Sequence, residues 1–454
     1  MKIIEEQSQL ISKTLGKQMI NTETAVRPLS YVRSIPVKEG TLLFNILSGE
    51  LLLLDETEIE YFAPQHKVAN STVKQLVEKW FLVPENTDDC QLSKQLVTVI
   101  NSINNIFSSP QISSFTILPT TDCNARCFYC FELGCSRKWM TEETAMSVVD
   151  YIMRKKADGE IKIRWFGGEP LYNSKIIDII SSELKKHGVK YHCNMTTNGY
   201  LFDEDMIDRA KNLWNLQKIQ ITLDGTEKIY NKTKAYIYKN DPSPFKRVIK
   251  NIKNLLERGM EVVIRINMDL HNVDDSFDLT KYLLEEFKGF NNYFINPHLL
   301  YENSCKFKTN DTDKDDNYLN KKYNELREIV SKALNKQSKY TRIMRFSNHC
   351  LADTDTSVMI LPEGQLGKCE HYTDDHYIGS IFDDKLDLDM ITWFKQTTTV
   401  MPECDNCELR PACIYLKCCP AHSKKCSPSD KATRAISLDN HIKYIYNHLK
   451  NKKA

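Results

Sequence analysis

Three cysteines lie close together in the stretch TTDCNARCFYCFE, residues 120–132, separated by three and then by two residues. Thiolates at this spacing indicate a metal site, and two kinds of site are compatible with it. A structural zinc site needs four ligands, of which Cys135 could be the fourth. A [4Fe–4S] cluster is usually bound by four cysteines, so Cys123, Cys127 and Cys130 would leave one iron open to another molecule.

Further polar motifs follow hydrophobic runs at regular intervals. The motifs are GGEP at 167–170, TTNG at 196–199, LDG at 223–225, and Asn267 with Asp269. The pair Gly167–Gly168 would let a backbone approach a ligand closely while the Glu169 carboxylate meets a cation. A tight turn with a solvated acid explains this motif alone equally well.

The elements that carry these motifs alternate between strand and helix. Buried strands are predicted at 113–120, 161–166, 190–196, 216–223, 261–268 and 291–300. Between them, Thr141 caps one predicted helix, residues 174–188 form another, and Ser243-Pro244 begins a third that Gly259 ends. This alternation predicts a parallel sheet, and six units are too few for an eight-stranded barrel. An open sheet or an incomplete barrel would bring all the motifs to one mouth.

Composition narrows the function class. The 454 residues predict about three domains, and a net charge of +1 gives no global attraction to nucleic acid or to an anionic membrane. The first residues, MKIIEEQSQL, lack the pattern of a signal peptide, and no apolar run reaches the length of a membrane span, so a cytoplasmic protein is expected. Fifteen cysteines in a reducing compartment predict metal ligands or catalytic thiols rather than disulfides.

The cysteine loop after the first strand, with Tyr129 just before its third cysteine, resembles the radical SAM superfamily over residues 113–300. The resemblance implies a partial (β/α)6 barrel in which a [4Fe–4S] cluster on Cys123, Cys127 and Cys130 binds S-adenosylmethionine. The further cofactor-binding residues that it implies are Tyr129, Gly167, Gly168, Glu169, Thr197, Asn198, Asp224 and Asn267. With five agreeing motifs, the cluster is favoured over zinc.

A second group of cysteines follows a polar connector at 306–322 and a predicted helix near 323–336. Cys350 is followed by Gly364 and Cys369, and CDNCELRPAC supplies Cys404, Cys407 and Cys413. Cys418, Cys419 and Cys426 complete the group. Alone, this pattern would be typical of zinc. Beside a radical SAM barrel it resembles the SPASM domain, which implies two auxiliary [4Fe–4S] clusters and three clusters in all; one expected ligand position holds Lys417, which leaves Cys418 and Cys419 as alternatives.

The N-terminal hundred residues contain two apolar runs in 41–58 that predict a hairpin turning at Ser48-Gly49, followed by a helix that Ser71 caps. A winged-helix-like α+β domain is expected. It resembles the recognition element of ribosomal peptide maturation, which implies that the hairpin edge binds a leader peptide as an added strand. The alternative is a domain that only shields the barrel.

These features predict an α/β protein with five regions: a recognition domain at 1–100, a barrel at 110–305, a connector at 306–345, a cysteine-rich domain at 346–430 and a C-terminal helix at 431–454. The resemblance implies a peptide maturase, with thioether cross-linking the preferred reaction. Carbon–carbon cross-linking, epimerisation and anaerobic sulfatase maturation are alternatives, and an iron–sulfur electron carrier is a different class. The implied partners are a precursor peptide and an electron donor such as flavodoxin or ferredoxin. No catalytic acid or base is assigned.

Overall fold

A computed structural model describes most of the chain. The described residues are 1–6, 15–16, 18, 20–68, 70–96, 111–300, 313–334, 351–396, 404–412, 426 and 428–453. No helix in these ranges is long and apolar enough to cross a lipid bilayer.

The N-terminal region is built on a four-stranded antiparallel sheet. Its elements are β1 (Lys2–Glu5), β2 (Val26–Pro28), β3 (Val32–Val37), β4 (Gly40–Asn45), β5 (Leu51–Leu54), helix α1 (Ser71–Glu78) and β6 (Leu82–Pro84). The sheet has the order β1-β5-β4-β3, β2 pairs with β6, and residues 89–96 are helical. The predicted hairpin is therefore present as β4 and β5. The predicted cap was wrong by one residue, because the Asn70 side chain accepts the hydrogen bond from the Val73 N–H and Ser71 is already helical.

The runs in β4 and β5 are apolar throughout because both faces of the sheet are covered. Leu43, Leu52 and Leu54 pack with α1 on one face. Leu42 and Phe44 point to the other face, where they pack against residues from the far end of the chain.

Six parallel strands form the next unit, each separated from the following one by helix. The strands are β7 (Ser114–Ile117), β8 (Ile161–Trp165), β9 (Tyr191–Thr197), β10 (Leu216–Thr222), β11 (Glu261–Met268) and β12 (Tyr293–Leu299). The helices are α2 (Glu142–Lys155), α3 (Ser174–Lys186), α4 (Glu204–Asn212), α5 (Glu227–Lys234), α6 (Pro244–Glu257) and α7 (Val273–Glu286). The strands lie in chain order and pair in parallel. This sheet is consistent with an incomplete barrel, one of the two arrangements that the alternation predicted.

The C-terminal region extends this sheet instead of forming a separate one. Its elements are α8 (Asp313–Leu334), β13 (Ser357–Ile360), β14 (Gln365–Gly367), β15 (Gly379–Ser380), α9 (Leu388–Gln396) and α10 (Pro428–Lys453). Strand β13 pairs in parallel with β7, and β14 and β15 follow antiparallel. The barrel sheet therefore continues into the region that carries Cys369.

Helix α8 corrects the predicted connector, because it begins at Asp313 within the stretch expected to be irregular. Leu319, Leu326 and Val330 recur at helical spacing and pack against the barrel core, which accounts for the longer helix.

Helix α10 returns to the start of the chain. Ile442, Ile445 and Tyr446 join the apolar cluster on the face of the N-terminal sheet that carries Leu42 and Phe44. Arg33 on β3 donates hydrogen bonds of 2.9 and 2.8 Å to Asp439 on this helix. The N-terminal sheet is therefore sandwiched between α1 and α10.

Candidate active site

The cysteine loop begins directly after β7 and is closed by hydrogen bonds at its base. The Thr120 hydroxyl donates to the Lys138 carbonyl at 2.7 Å, and the Thr121 hydroxyl donates to the Ser136 carbonyl at 2.6 Å. The loop between these bonds carries Cys123, Cys127 and Cys130, and all three border one cavity of about 350 Å³. Their placement agrees with the predicted site at the carboxyl ends of the strands.

Burial raises the pKa of each of the three thiols, and that of Cys130 to about 12. The thiols are therefore protonated at neutral pH, and a metal would have to displace their protons on binding. Among the described residues, no three Cys, His, Asp or Glu side chains are arranged to hold one metal ion. Three cysteines that border one cavity without surrounding a single ion are compatible with an iron–sulfur cluster, in which each thiolate binds a different iron.

Gly167 and Gly168 form the wall of the cavity beside the cysteine loop. A Cβ atom on Gly167 would overlap the carbonyl oxygen of Thr120, and one on Gly168 would overlap that of Asp122. Gly167 also has φ +115°, which side chains rarely adopt. The two glycines therefore allow the backbone after β8 to lie directly against the base of the cysteine loop.

Glu169 lies behind this wall and its side chain is fully buried. Its carboxylate accepts hydrogen bonds from the Thr197 hydroxyl at 2.7 Å and from the backbone N–H groups of Asn198 at 2.8 Å and Leu171 at 3.1 Å. Burial raises the pKa of Glu169 to about 7, against the lowering effect of these three donors. Its carboxylate therefore joins the end of β8 to the end of β9, and its role in binding S-adenosylmethionine stays a prediction.

Thr197 and Asn198 both border the cavity. The Asn198 amide donates to the Asn124 side-chain oxygen at 2.6 Å, which connects the end of β9 to the cysteine loop. The structure therefore brings the cysteine loop, GGEP and TTNG together.

A buried polar network supports the opposite side of the cysteine loop. The Tyr129 hydroxyl donates to Asp224 at 2.5 Å, and the Lys234 ammonium lies 2.9 Å from both groups. The Asn267 amide donates to the Tyr129 hydroxyl at 3.4 Å. Tyr129, Asn267 and Lys234 border the cavity, whereas Asp224 lies behind them.

Lys234 was not identified from the sequence. Its side chain is 4% exposed, at the last residue of α5. Burial lowers the pKa of Lys234, but the Asp224 carboxylate and the Tyr129 hydroxyl outweigh this, so the pKa is raised and the side chain is a cation. Lys234 and Tyr230 are one turn apart on the buried face of α5, and this spacing was the only signal available in the sequence.

The barrel strands also line the cavity with polar side chains. Arg164, Gln220, Thr222, Arg265 and His298 project into the cavity from four strands. At the mouth, Glu370 of the C-terminal region pairs with Arg164 at 2.5 Å, and the His371 ring lies 4.8 Å from the Phe131 ring. The residue after Cys369 thus helps to close the cavity, a contact that the sequence did not predict.

Only some cysteines of the second group lie within the described residues. Cys369 is buried, Cys404 and Cys407 are half-buried, and Cys426 is exposed next to Arg434, whose guanidinium lies 3.3 Å from its sulfur. Cys350, Cys413, Cys418 and Cys419 lie outside the described residues. The auxiliary clusters therefore stay a prediction.

Comparison with known proteins identifies the barrel. Residues 117–282, less than half of the chain, match the Radical SAM superfamily. The chain is 33% identical to an uncharacterized protein of Methanocaldococcus jannaschii over 112 residues, 24% of this chain and 37% of that protein. It is 25% identical to the GTP 3′,8-cyclase of Clostridium perfringens over 276 residues, 58% of this chain and 81% of that enzyme. It is also 25% identical to the radical SAM cyclopropyl synthase TigE of Paramaledivibacter caminithermalis over 241 residues, 49% of this chain and 47% of that protein.

Solved structures share the fold at low sequence identity. The structure of anSMEcpe with bound AdoMet and Cp18Cys peptide has a TM-score of 0.55 and 18% identity, and the match covers 74% of this chain and 98% of that one. Streptococcus suis SuiB bound to S-adenosylmethionine has a TM-score of 0.51 and 15% identity, with 85% and 94% covered.

Proposed function

The chain is a radical SAM enzyme, and we propose that it modifies a ribosomally made precursor peptide by joining a cysteine sulfur to a carbon atom of a neighbouring residue. Cys123, Cys127 and Cys130 would hold the cluster that, with S-adenosylmethionine bound, supplies a 5′-deoxyadenosyl radical for hydrogen abstraction. The donor set fits this group, because three thiols and a glycine wall border one cavity.

Different residues of the cavity would bind different groups of S-adenosylmethionine. The backbone of Gly167 and Gly168 lies directly against the cysteine loop. Because it carries no side chains, it leaves room for the methionyl group. Lys234 supplies a buried positive charge that the methionyl carboxylate can pair with, while Asp224 and Tyr129 hold the ammonium in place. Thr197, which borders the cavity, donates a hydrogen bond to Glu169 and so holds the ends of β8 and β9 together beside the ligand.

The observation that carries the peptide assignment is the N-terminal sheet and its attachment to the cysteine-rich region. Arg410, between the cysteines of that region, is 2% exposed and donates to the Ser93 hydroxyl at 3.3 Å. Lys94 pairs with Asp405 at 3.1 Å. The sheet itself contacts the same region, since Arg33 of β3 pairs with Glu408 at 3.5 Å. A sheet held against the cysteine-rich region supports a role in holding a second, extended substrate.

The placement of the peptide on the hairpin itself needs correction. Strand β4 lies between β5 and β3, and β5 lies between β4 and β1, so neither hairpin strand has an open edge. A leader strand must use another edge or displace a strand. Peptide binding in anSMEcpe, which was solved with the Cp18Cys peptide, supports a peptide substrate for the shared fold.

Mass spectrometry after co-expression with small reading frames beside the gene tests the function. A thioether bond removes two hydrogen atoms from the peptide and makes one cysteine resistant to alkylation. A carbon–carbon bond removes the same mass but leaves the cysteines alkylatable, and epimerisation leaves the mass unchanged. Oxidation of a residue to an aldehyde would instead indicate sulfatase-type maturation. If no peptide is altered while S-adenosylmethionine is still cleaved, the peptide substrate is wrong.

A further inference from the structure

The N-terminal sheet has two outer strands, β3 and β1, and the hydrogen-bond pattern shows what each edge offers. The Asn45 N–H donates to the Glu50 carbonyl, so alternate residues of β4, including Leu43, face β5. Phe44 and Leu42 then face β3 and bond with their register partners Arg33 and Ile35.

The edge of β3 is poorly suited to another strand. By the alternation, Val32, Ser34 and Pro36 direct their backbone groups outward. Pro36 has no N–H, and the Val32 N–H already donates to the Leu29 carbonyl at 3.2 Å. Among the described residues, only Ser34 is left to offer an outward N–H over the inner part of this strand. A proline at an edge is a known means of preventing strand addition.

The edge of β5 has no such block. Leu52 and Leu54 face β4, so Leu51 and Leu53 direct both their N–H and C=O groups to the other side. Strand β1 occupies these positions, with Lys2 opposite Leu53 and Glu5 opposite Leu51.

Strand β1 is a weak occupant. It has four residues, its register shifts between Ile3 and Glu5, and its burial falls from half-buried at its end to exposed at Lys2 and Ile3. Ile3 is 36% exposed, whereas Ile4 packs against the apolar cluster of the sheet. Next to β1, Met1 also packs against the apolar cluster under α1, and its ammonium pairs with Glu58. Even so, four paired residues stabilise less than the three-stranded meander that they adjoin.

We infer that the β5 edge is the docking site for the leader, and that β1 covers this edge and must be displaced. The inference rests on the proposed function for the identity of the partner. The partner is an extended segment that runs antiparallel to Leu51–Leu54 and carries an apolar side chain where Ile4 now packs. Because the edge is open for only a fraction of the time, β1 reduces the apparent affinity by that fraction.

The first test uses β1 itself as the probe. A fluorescein-labelled peptide MKIIEEQS is titrated, by fluorescence polarisation, into the full chain and into a variant lacking residues 1–6. The variant should bind the peptide at least about tenfold more tightly, because the competing strand is gone. Equal affinity for both proteins would overturn the inference, since β1 would then not cover a strand-accepting edge.

A matched pair of substitutions avoids dependence on the deletion. Lys2→Pro removes an N–H that faces Leu53, whereas Ile3→Pro changes an N–H on the outward side of β1. Lys2→Pro should raise the affinity for the labelled peptide, and Ile3→Pro should raise it much less. An identical response to both substitutions, or no response to either, would contradict displacement of β1.

Competition separates this inference from the proposed function. The unlabelled leader of a precursor that mass spectrometry shows to be modified should displace the labelled peptide from the truncated chain. A modified precursor whose leader does not compete overturns the docking site and leaves the proposed function intact. If no precursor is modified, the proposed function fails, while the probe titration still decides whether β1 covers an acceptor edge.

Discussion

The Lys234 ammonium lies 2.9 Å from the Asp224 carboxylate, and the two side chains are 4% and 1% exposed. Removal of two charges from water is costly unless they pair, so each group depends on the other. Asp224 follows the fourth barrel strand and Lys234 ends the next helix, so the pair also fixes α5 against the cysteine loop through Tyr129.

Asp224→Asn should lower the free energy of unfolding by about 3–5 kcal/mol, because it leaves a buried ammonium without its counter-charge. The double variant Asp224→Leu/Lys234→Met should cost less than the sum of its two single substitutions, since neither charge is then buried alone. Denaturant unfolding of the cluster-free chain measures this cycle. Additive costs would mean that the two charges are not coupled.

Lys234→Met should weaken binding of S-adenosylmethionine about ten- to hundredfold, because a charge-assisted hydrogen bond to the methionyl carboxylate is lost. Lys232→Met is the matched control, since Lys232 lies on the same helix and is exposed. Equilibrium dialysis with the labelled cofactor measures both. Unchanged binding in the Lys234 variant would show that the ammonium serves only to stabilise Asp224.

Cys127→Ala should abolish production of 5′-deoxyadenosine, because two thiolates cannot hold the cluster at this loop. Iron content should fall from about twelve per chain, the sum of three cubes, to about eight. Cys135→Ala provides the control, because Cys135 lies on the same loop and does not border the cavity. A Cys127 variant that still cleaves S-adenosylmethionine would remove the basis for assigning this loop to the cluster.

Gly168→Ala should reduce cluster incorporation severalfold, because the added Cβ overlaps the Asp122 carbonyl beside Cys123 and forces the loop outward. Gly259→Ala adds a methyl group where nothing lies within 4 Å, and it costs only the strain of its positive φ. Absorbance of the reconstituted proteins near the cluster band compares the two. Equal incorporation would show that the loop can move without consequence.

The sequence was sufficient for the barrel because its strands are locally encoded. Apolar runs ended by caps and glycines predicted all six strands to within a few residues, and β11 over its full length, Glu261–Met268. The structure also places residues of the polar motifs around one cavity, as expected because parallel strands have their carboxyl ends at one edge.

Contacts between distant segments could not be predicted in the same way. Arg164 pairs with Glu370, which lies 206 residues further along the chain. Strand β1 pairs with β5, although no sequence pattern in either strand indicates this pairing. Glu169 shows a further limit: the glycine motif indicated a carboxylate near a ligand, but not the three hydrogen bonds by which it also supports the end of β9. Such choices depend on packing in three dimensions rather than on local propensity.

The packing of α10 on the N-terminal sheet has a consequence for synthesis. Leu42 and Phe44 emerge from the ribosome about 400 residues before Ile442 and Ile445, which cover them. At about 5–20 residues per second, some 400 intervening residues leave this apolar face uncovered for roughly 20–80 s. Nascent chains of this protein should therefore need a chaperone on that face, and prematurely terminated chains should be cleared by proteolysis rather than accumulate as competitors for the leader.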